Sequence, residues 1–407
     1  MERFVGILGV IVLLAVAWLM SNNRKKIDYK LVIWGLGLQI AFALFILKTP
    51  IGLPFFDFFD VMINKLLEFS DRGGDFLFAS FETGRVEAPL LNFAVRVLPT
   101  VIFFSALMSI LYHSGIMQWV VKLIAKLVQK TMGTSGSETL SVVGSIFVGQ
   151  TEAPLLVKPF VKNMTGSELI TVMIGGFATV AGGVMALYVK MLQDIPGIAG
   201  HLMAASIMSA PAAIVIAKIM YPETEESETK GTLNVNIEKT SGNIMEALGD
   251  GATDGLKLAA NIAAMLIAIV AMVAMVDGLL SLVNTSLAEV LGILFKPLAF
   301  CMGAPWHEAG TLGTLLGEKI VLTELIAYKD LGDIRQTSAL SDRTSIIASY
   351  ALCGFANFAS IGIQMGGIGG IAPNRKTQIA KFAFKAMIGG ALASWITACI
   401  AGILIVP

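Results

Sequence analysis

The chain has 407 residues, of which 56% are hydrophobic and only 14% charged, with a mean hydropathy of +0.78. Soluble domains carry roughly 25% charged residues, so this composition excludes an ordinary soluble protein and predicts an integral membrane one. Lysine plus arginine equals aspartate plus glutamate at 29 each, which removes the basic excess expected of a nucleic-acid partner. The three cysteines, Cys301, Cys353 and Cys399, are too scattered for a disulfide framework or a metal knuckle and read as small buried hydrophobes.

Phe4 to Met20 is the first apolar run. Only Arg3 precedes it and no small-residue cleavage site follows, so it reads as a span rather than a signal peptide. Arg24, Lys25, Lys26 and Lys30 crowd the next loop, which the positive-inside rule assigns to the cytoplasm, leaving the N-terminus outside. Leu31 to Leu47 returns outward. The residues that follow alternate aromatics with acids, Phe55 to Asp60 and then Glu68, Asp71 and Asp75, and predict a helix lying in the interface. Leu90 to Leu111 crosses inward, with a kink allowed at Pro99. Lys122, Lys126 and Lys130 then recur at four-residue spacing on an amphipathic helix whose basic face meets the cytoplasm.

Leu140 to Phe160 is apolar except at its centre, where Gln150, Thr151 and Glu152 stand consecutively before Pro154. Each apolar half is about ten residues, too short to cross roughly 30 Å of hydrocarbon. The segment therefore predicts a hairpin that enters the membrane from the cytoplasm and returns. Irregular backbone at that depth needs a protein cover or a water-filled cavity, and an ionisable residue there is a functional candidate. The plainer role for Glu152 is a cap on a half-helix N-terminus.

Leu169 to Tyr188 and Met203 to Met220 are two further spans, and Tyr221 to Ser241 is a polar stretch expected to be a mobile cytoplasmic linker. Leu258 to Val283 is the sixth span. After Gly303 to Glu308, the run from Thr311 to Ala327 is interrupted by Glu318, Lys319 and Glu324 and predicts a second hairpin, entering from outside. Ser345 to Met365 and Phe382 to Val406 complete eight spans, with Arg375, Lys376, Lys381 and Lys385 at the cytoplasmic turn between them.

Gly176-Phe177-Ala178-Thr179-Val180-Ala181 matches Gly354-Phe355-Ala356-Asn357-Phe358-Ala359, and each follows a hairpin bearing a glutamate, Glu152 or Glu324. Three crossings separate the copies, so the second is inverted relative to the first. Inverted repeats with paired broken segments are the sign of a secondary transporter whose substrate sits at the repeat interface. Two charges at membrane depth cost roughly 2.5 to 3.5 kcal/mol each on insertion scales, so something must compensate them. Plainer roles exist: Glu324 at a solvated outer interface, Asn357 and Ser360 in interhelical hydrogen bonds, Phe355 and Val184 in packing. His113, His201 and His307 share no metal spacing. A membrane-embedded enzyme pairing Glu152 with Glu324 lacks a nucleophile, a metal cluster or a diphosphate motif to work with. A carrier of another small polar solute is the nearer alternative.

Gly149 to Leu155, the Gly-Ala-Pro-Trp-His-Glu run at 303 to 308, and Gly354 to Asn357 with Ser360 resemble the concentrative nucleoside transporter family in its bacterial, eight-span form. The resemblance covers essentially the whole chain. It implies an all-α integral membrane protein with eight transmembrane helices, two re-entrant hairpins and inverted repeats, assembled as a homotrimer in the inner membrane with both termini outside. A scaffold of 1–135 and 221–300 would hold a transport domain of 136–220 and 301–407 that moves like an elevator to import nucleosides by cation symport. Gln150, Thr151 and Glu152 would meet the nucleobase with Val184 packing on it, Glu324, Asn357 and Ser360 would hold the ribose, and Phe355 would lie between. Sodium would be held by Ser145, Val148, Thr179 and Val180. Sodium-coupled members usually place an asparagine where this chain has Ser145, so sodium affinity should be weakened, and proton coupling through a buried glutamate is the alternative. The implied partners are the nucleoside, membrane lipid and two further copies of the chain.

Overall fold

The computed structural model describes residues 2–50, 52–80, 86, 93–231, 241–337 and 340–405, and these are mostly helical with no multi-residue strand. Leu90, residues 232–240 of the expected linker, and Val406 lie outside them. The helices are α1 (Glu2–Leu19), α2 (Tyr29–Lys48), α3 (Gly52–Phe78), α4 (Phe93–His113), α5 (Ile116–Met132) and α6 (Gly136–Gly144). There follow α7 (Lys158–Val161), α8 (Gly166–Ala178), α9 (Gly182–Met191), α10 (Ile198–Met220), α11 (Ile244–Leu280) and α12 (Leu287–Cys301). The last five are α13 (Ala309–Val321), α14 (Glu324–Gln336), α15 (Asp342–Leu352), α16 (Phe358–Ile371) and α17 (Lys376–Leu404). Among the described residues four stretches, Tyr29–Lys48, Gly166–Met191, Ile198–Met220 and Pro373–Leu404, are long and apolar enough to cross a membrane. Two bent pairs pass the same test together, α4 with α5 at 76° and α11 with α12 at 86°.

The innermost layer is α8 and α10, whose residues are almost all buried, together with the second half of α17 from Gly389 to Gly402. Both hairpins are present: α6 and α7 with a 3-10 turn at Ala153–Val157 form the first, α13 and α14 the second. Leu169 to Tyr188, expected as one span, is broken at 179–181, and Ser345 to Met365 is broken at 353–357. Pairs of helices broken where hairpin tips meet them are the arrangement by which irregular backbone survives at depth, because the loose ends face a cavity or one another.

The N-termini of α6 and α8 are built alike. Ser135 and Thr165 each cap the amide three residues on, and Glu138 and Glu168 reach back to the cap amide, two reciprocal capping boxes. Both ends are buried, and Lys218 neutralises Glu138 at 2.7 Å. The polar stretch after α10 contributes here, which corrects its expected mobility over 221–231. Thr229 accepts from the Ser137 amide at 3.1 Å, Thr165 donates to Glu223 at 2.8 Å, and Ser167 donates to the Tyr221 carbonyl at 2.7 Å. These three donors are satisfied by chain that a polar composition alone would leave loose.

A further correction concerns the sixth span. α11 begins at Ile244, well before Leu258, because Gly251 and Gly255 let its first turns lie directly on α4. A Cβ at Gly251 would come within 2.8 Å of the Ala106 Cα, and one at Gly255 within 2.7 Å of the Ile102 Cα; small residues spaced by four permit such close helix approach in membranes. α12, which follows α11, runs along α13 with Gly313 against the backbone of Gly292 and Lys296.

The connections expected on one side of the membrane meet each other. The Asn22 amide donates to the Met220 carbonyl, and Arg375 donates to the carbonyls of Lys162 and Met164. At the other end Arg343 binds the carbonyls of Gly303 and Gly402. Hairpin one therefore opens at the first end and hairpin two near the second, as inverted copies require.

Candidate functional site

The two helix breaks cross at Gly354. Its φ is +116°, and a Cβ there would stand 2.7 Å from the Phe177 carbonyl oxygen and 2.9 Å from that of Ala178. Only glycine tolerates both the angle and the approach. The glycine shared by the repeated motifs thus lets one copy rest on the other.

Beside the crossing lies a cavity of about 1080 Å³. The first hairpin gives it Gln150, Thr151 and Glu152, and α9 gives Val184. The second hairpin gives Glu324, and the second break with the start of α16 gives Phe355, Asn357 and Ser360. All eight residues named for substrate contact line this one space. It extends to Lys158 and Lys162 and to Asp250, Asp254 and Lys257 near the start of α11, so it opens at the end where hairpin one begins.

Glu324 is buried, 5% exposed, and is fixed from two sides. The Tyr188 hydroxyl donates to its Oε1 at 2.8 Å, and the Asn357 side-chain amide donates to its Oε2 at 2.6 Å. Asn357 has no choice of orientation, because its Oδ1 accepts the Ser360 amide at 2.8 Å as the cap of α16. A carboxylate offers about four acceptor positions, so two are used by protein and two are left. Glu324 is therefore no solvated outer-interface group, and Asn357 is a cap as well as a cavity residue. Behind them Tyr188 stacks on Tyr328, ring centroids 4.3 Å apart, and Tyr328 donates to the Ser349 carbonyl at 2.8 Å.

On the opposite wall, the Gln150 Oε1 accepts from Gln364 at 3.2 Å, and the same Gln364 nitrogen reaches the Met173 carbonyl at 3.0 Å. Glu152 is exposed to the cavity and makes no side-chain capping bond to the 3-10 turn behind it. Tyr188 and Gln364 were not singled out in the sequence. Gln364 carried a signal, an amide inside the apolar run of α16, whereas Tyr188 reads as packing in any helix.

The four residues named for sodium are also drawn together. Ser145 donates to the Val142 carbonyl at 2.7 Å and its oxygen lies 3.3 Å from the Gly175 carbonyl, and Thr179 donates to the same Gly175 oxygen at 3.0 Å. The Gly182 amide donates to the Phe147 carbonyl at 2.9 Å, tying the tip of hairpin one, with Val148, to the break that holds Val180. Two hydroxyls and nearby main-chain carbonyls form a neutral set of hard oxygen donors, suited to a monovalent cation held without a carboxylate.

Two inverted copies crossing at their breaks, with buried polar groups aimed into a cavity open at one end, define a membrane transporter. Family models agree over most of the chain: the Na+ dependent nucleoside transporter N-terminus matches residues 8–81, the nucleoside recognition gate 94–194, and the Na+ dependent nucleoside transporter C-terminus 201–402. The chain belongs to the concentrative, Na+-dependent nucleoside transporter family, which is a family of carriers and not of enzymes. An uncharacterized transporter of Haemophilus influenzae is 42% identical over 98% of this chain and 97% of its own length. Sodium/nucleoside cotransporter 1 of Rattus norvegicus is 40% identical over 100% of this chain, which spans 64% of that longer protein. CNTnw in an inward-facing substrate-bound state superposes with a TM-score of 0.91 at 38% identity, covering 99% of this chain and 98% of that one. A doubly substituted CNTnw in an outward-facing state gives 0.92 at 39% identity, covering 99% of each.

Proposed function

We propose that this chain imports nucleosides by symport with sodium. The observation that carries the reading is the convergence on one cavity of eight polar and apolar groups from the two hairpins, α9, and the second break with the start of α16, with Glu324 held by Tyr188 and Asn357. Gln150 offers a donor and an acceptor to a base edge, with Thr151 and Glu152 beside it and Val184 and Phe355 as apolar walls. The free acceptor positions of Glu324, with Asn357 and Ser360, take the ribose hydroxyls. A buried carboxylate left unpaired is costly, so solutes lacking those hydroxyls bind worse. Ser145, Val148, Thr179 and Val180 hold the sodium ion, and it supplies the counter-charge that fixes hairpin one against the break. If protons replace sodium, a cavity glutamate is the carrier.

The eight crossings are α1, α2, α4, α8 with α9, α10, α11, α15 with α16, and α17, placing both termini outside the inner membrane and the basic connections inside. In that orientation the cavity is open to the cytoplasm. Segments 136–220 and 301–407 form the transport domain and move against a scaffold of 1–135 and 221–300. α11 presents Ile267, Val270, Met275 and Leu279 outward, an apolar face suited to lipid or to neighbours in a trimer. Isothermal calorimetry in sodium chloride tests the substrate class: uridine should bind and a sugar or amino acid should not. A sugar or amino acid binding in its place, with uridine inert, would overturn it.

A further inference from the structure

The two copies treat the same position differently. Both hairpins turn on a Thr-Glu pair, Thr151-Glu152 and Thr323-Glu324. In the first, the approach to that pair runs through Ser145 to Val148, which include two of the proposed ion ligands. Lys319 stands in the corresponding approach to the second, five residues before Glu324 as Phe147 is five before Glu152. The motif match that pairs Gly176 with Gly354 also pairs Gly175 with Cys353. The Gly175 carbonyl is where the Ser145 and Thr179 hydroxyls meet. The Cys353 carbonyl is where Lys319 points.

Lys319 is fully buried. Its ammonium reaches the Ala351 carbonyl at 2.8 Å, the Cys353 carbonyl at 3.3 Å and the Ser394 hydroxyl oxygen at 2.7 Å. Ser394 donates its own hydrogen to the Ala391 carbonyl at 3.0 Å, so toward Lys319 it accepts. Three acceptors require three N–H donors, which only the protonated amine has. Ala351 and Cys353 stand at the C-terminal end of α15, where unpaired carbonyls and the helix dipole favour a positive charge.

We infer that Lys319 is a tethered cation, permanently filling in the second repeat the place that the first repeat keeps for an exchangeable ion. This rests on the ion-site reading proposed above. It follows that one exchangeable cation travels with each nucleoside. The lysine charge stays with the transport domain in both directions and offsets the charge of Glu324, so the domain need not carry a second ion to cross.

The test begins with the unaltered protein in proteoliposomes, where the reversal potential for uridine transport gives the charge moved per nucleoside. One positive charge per uridine is expected, and two would overturn the inference. Lys319→Met and Lys319→Ser, checked for folding by size exclusion, are then titrated with uridine by calorimetry in sodium chloride and in choline chloride. Both should bind uridine at least roughly tenfold more weakly, the scale of losing a charged hydrogen-bonding group. High sodium should recover part of the affinity in Lys319→Ser, with a steeper sodium dependence than the unaltered protein, and none in Lys319→Met. Unaltered affinity and sodium dependence in both variants would overturn the inference; if neither variant folds, the charge count decides it. Failure of the transport reading is seen separately, as no uridine uptake by the unaltered protein under either a sodium or a proton gradient, and it removes this inference as well.

Discussion

Tyr188 and Glu324 are 136 residues apart, in opposite copies of the repeat, and their side chains share a hydrogen bond of 2.8 Å. The contact sets which face of the carboxylate is left for a ligand. The stack of Tyr188 on Tyr328 holds the donor in place. A residue of the first broken helix thereby governs a group of the second hairpin.

Replacing that donor should be felt in ribose recognition. Tyr188→Phe keeps the stack and removes one bond to a charged acceptor, so uridine affinity should fall about tenfold, or roughly 1.5 kcal/mol. The gap between uridine and 2′,3′-dideoxyuridine should narrow, because Glu324 is no longer aimed at the hydroxyls. Calorimetry with both ligands measures it; an equal loss for the two would make Tyr188 a packing residue only.

Glu324→Gln removes the acceptor itself while preserving shape. The loss of a charge-assisted pair with the ligand predicts roughly tenfold to hundredfold weaker uridine uptake, with the protein still folded by size exclusion. Glu152→Gln should lower uptake likewise. Uptake equal to the unaltered protein in either variant would remove that residue from the site.

Ser145→Asn restores a longer side chain with a stronger oxygen acceptor beside Gly175. The sodium concentration for half-maximal uridine uptake should fall by roughly threefold or more, as an added hard ligand predicts. An unchanged sodium response counts against placing the ion there.

Gly354→Ala tests the crossing of the two breaks. A side chain at φ +116° is strained, a cost of order 1–3 kcal/mol, and its Cβ would also press on the Phe177 carbonyl. The apparent melting temperature should drop by several degrees, a shift read by following thermal unfolding. A variant as stable as the unaltered protein would show that the breaks can part.

Where the sequence spoke clearly, it did so through periods and interruptions. Glu152 and Glu324 stood out because a carboxylate in an apolar run is expensive, and the paired Gly-Phe-Ala motifs stood out because they recur. The breaks at 179–181 and 353–357 were harder to place, since backbone that leaves a helix for a cavity keeps an apolar composition. The docking of 221–231 is hidden for the opposite reason: its acids look solvated, yet Glu223 takes a hydrogen bond from Thr165 and the Tyr221 carbonyl takes one from Ser167, both more than fifty residues away in sequence. Ser135 to Glu138 and Thr165 to Glu168 carry the Ser/Thr-x-x-Glu spacing of a capping box in the sequence itself. Tyr188 could not have been found, because only the fold brings it to Glu324.

The most direct test of the account is uptake of labelled uridine into proteoliposomes holding the purified protein, under an inward sodium gradient, an inward proton gradient, or neither. The account predicts accumulation above equilibrium with the sodium gradient and none without a gradient. Uridine that fails to accumulate under either gradient, while the same vesicles concentrate a different small polar solute, would contradict it.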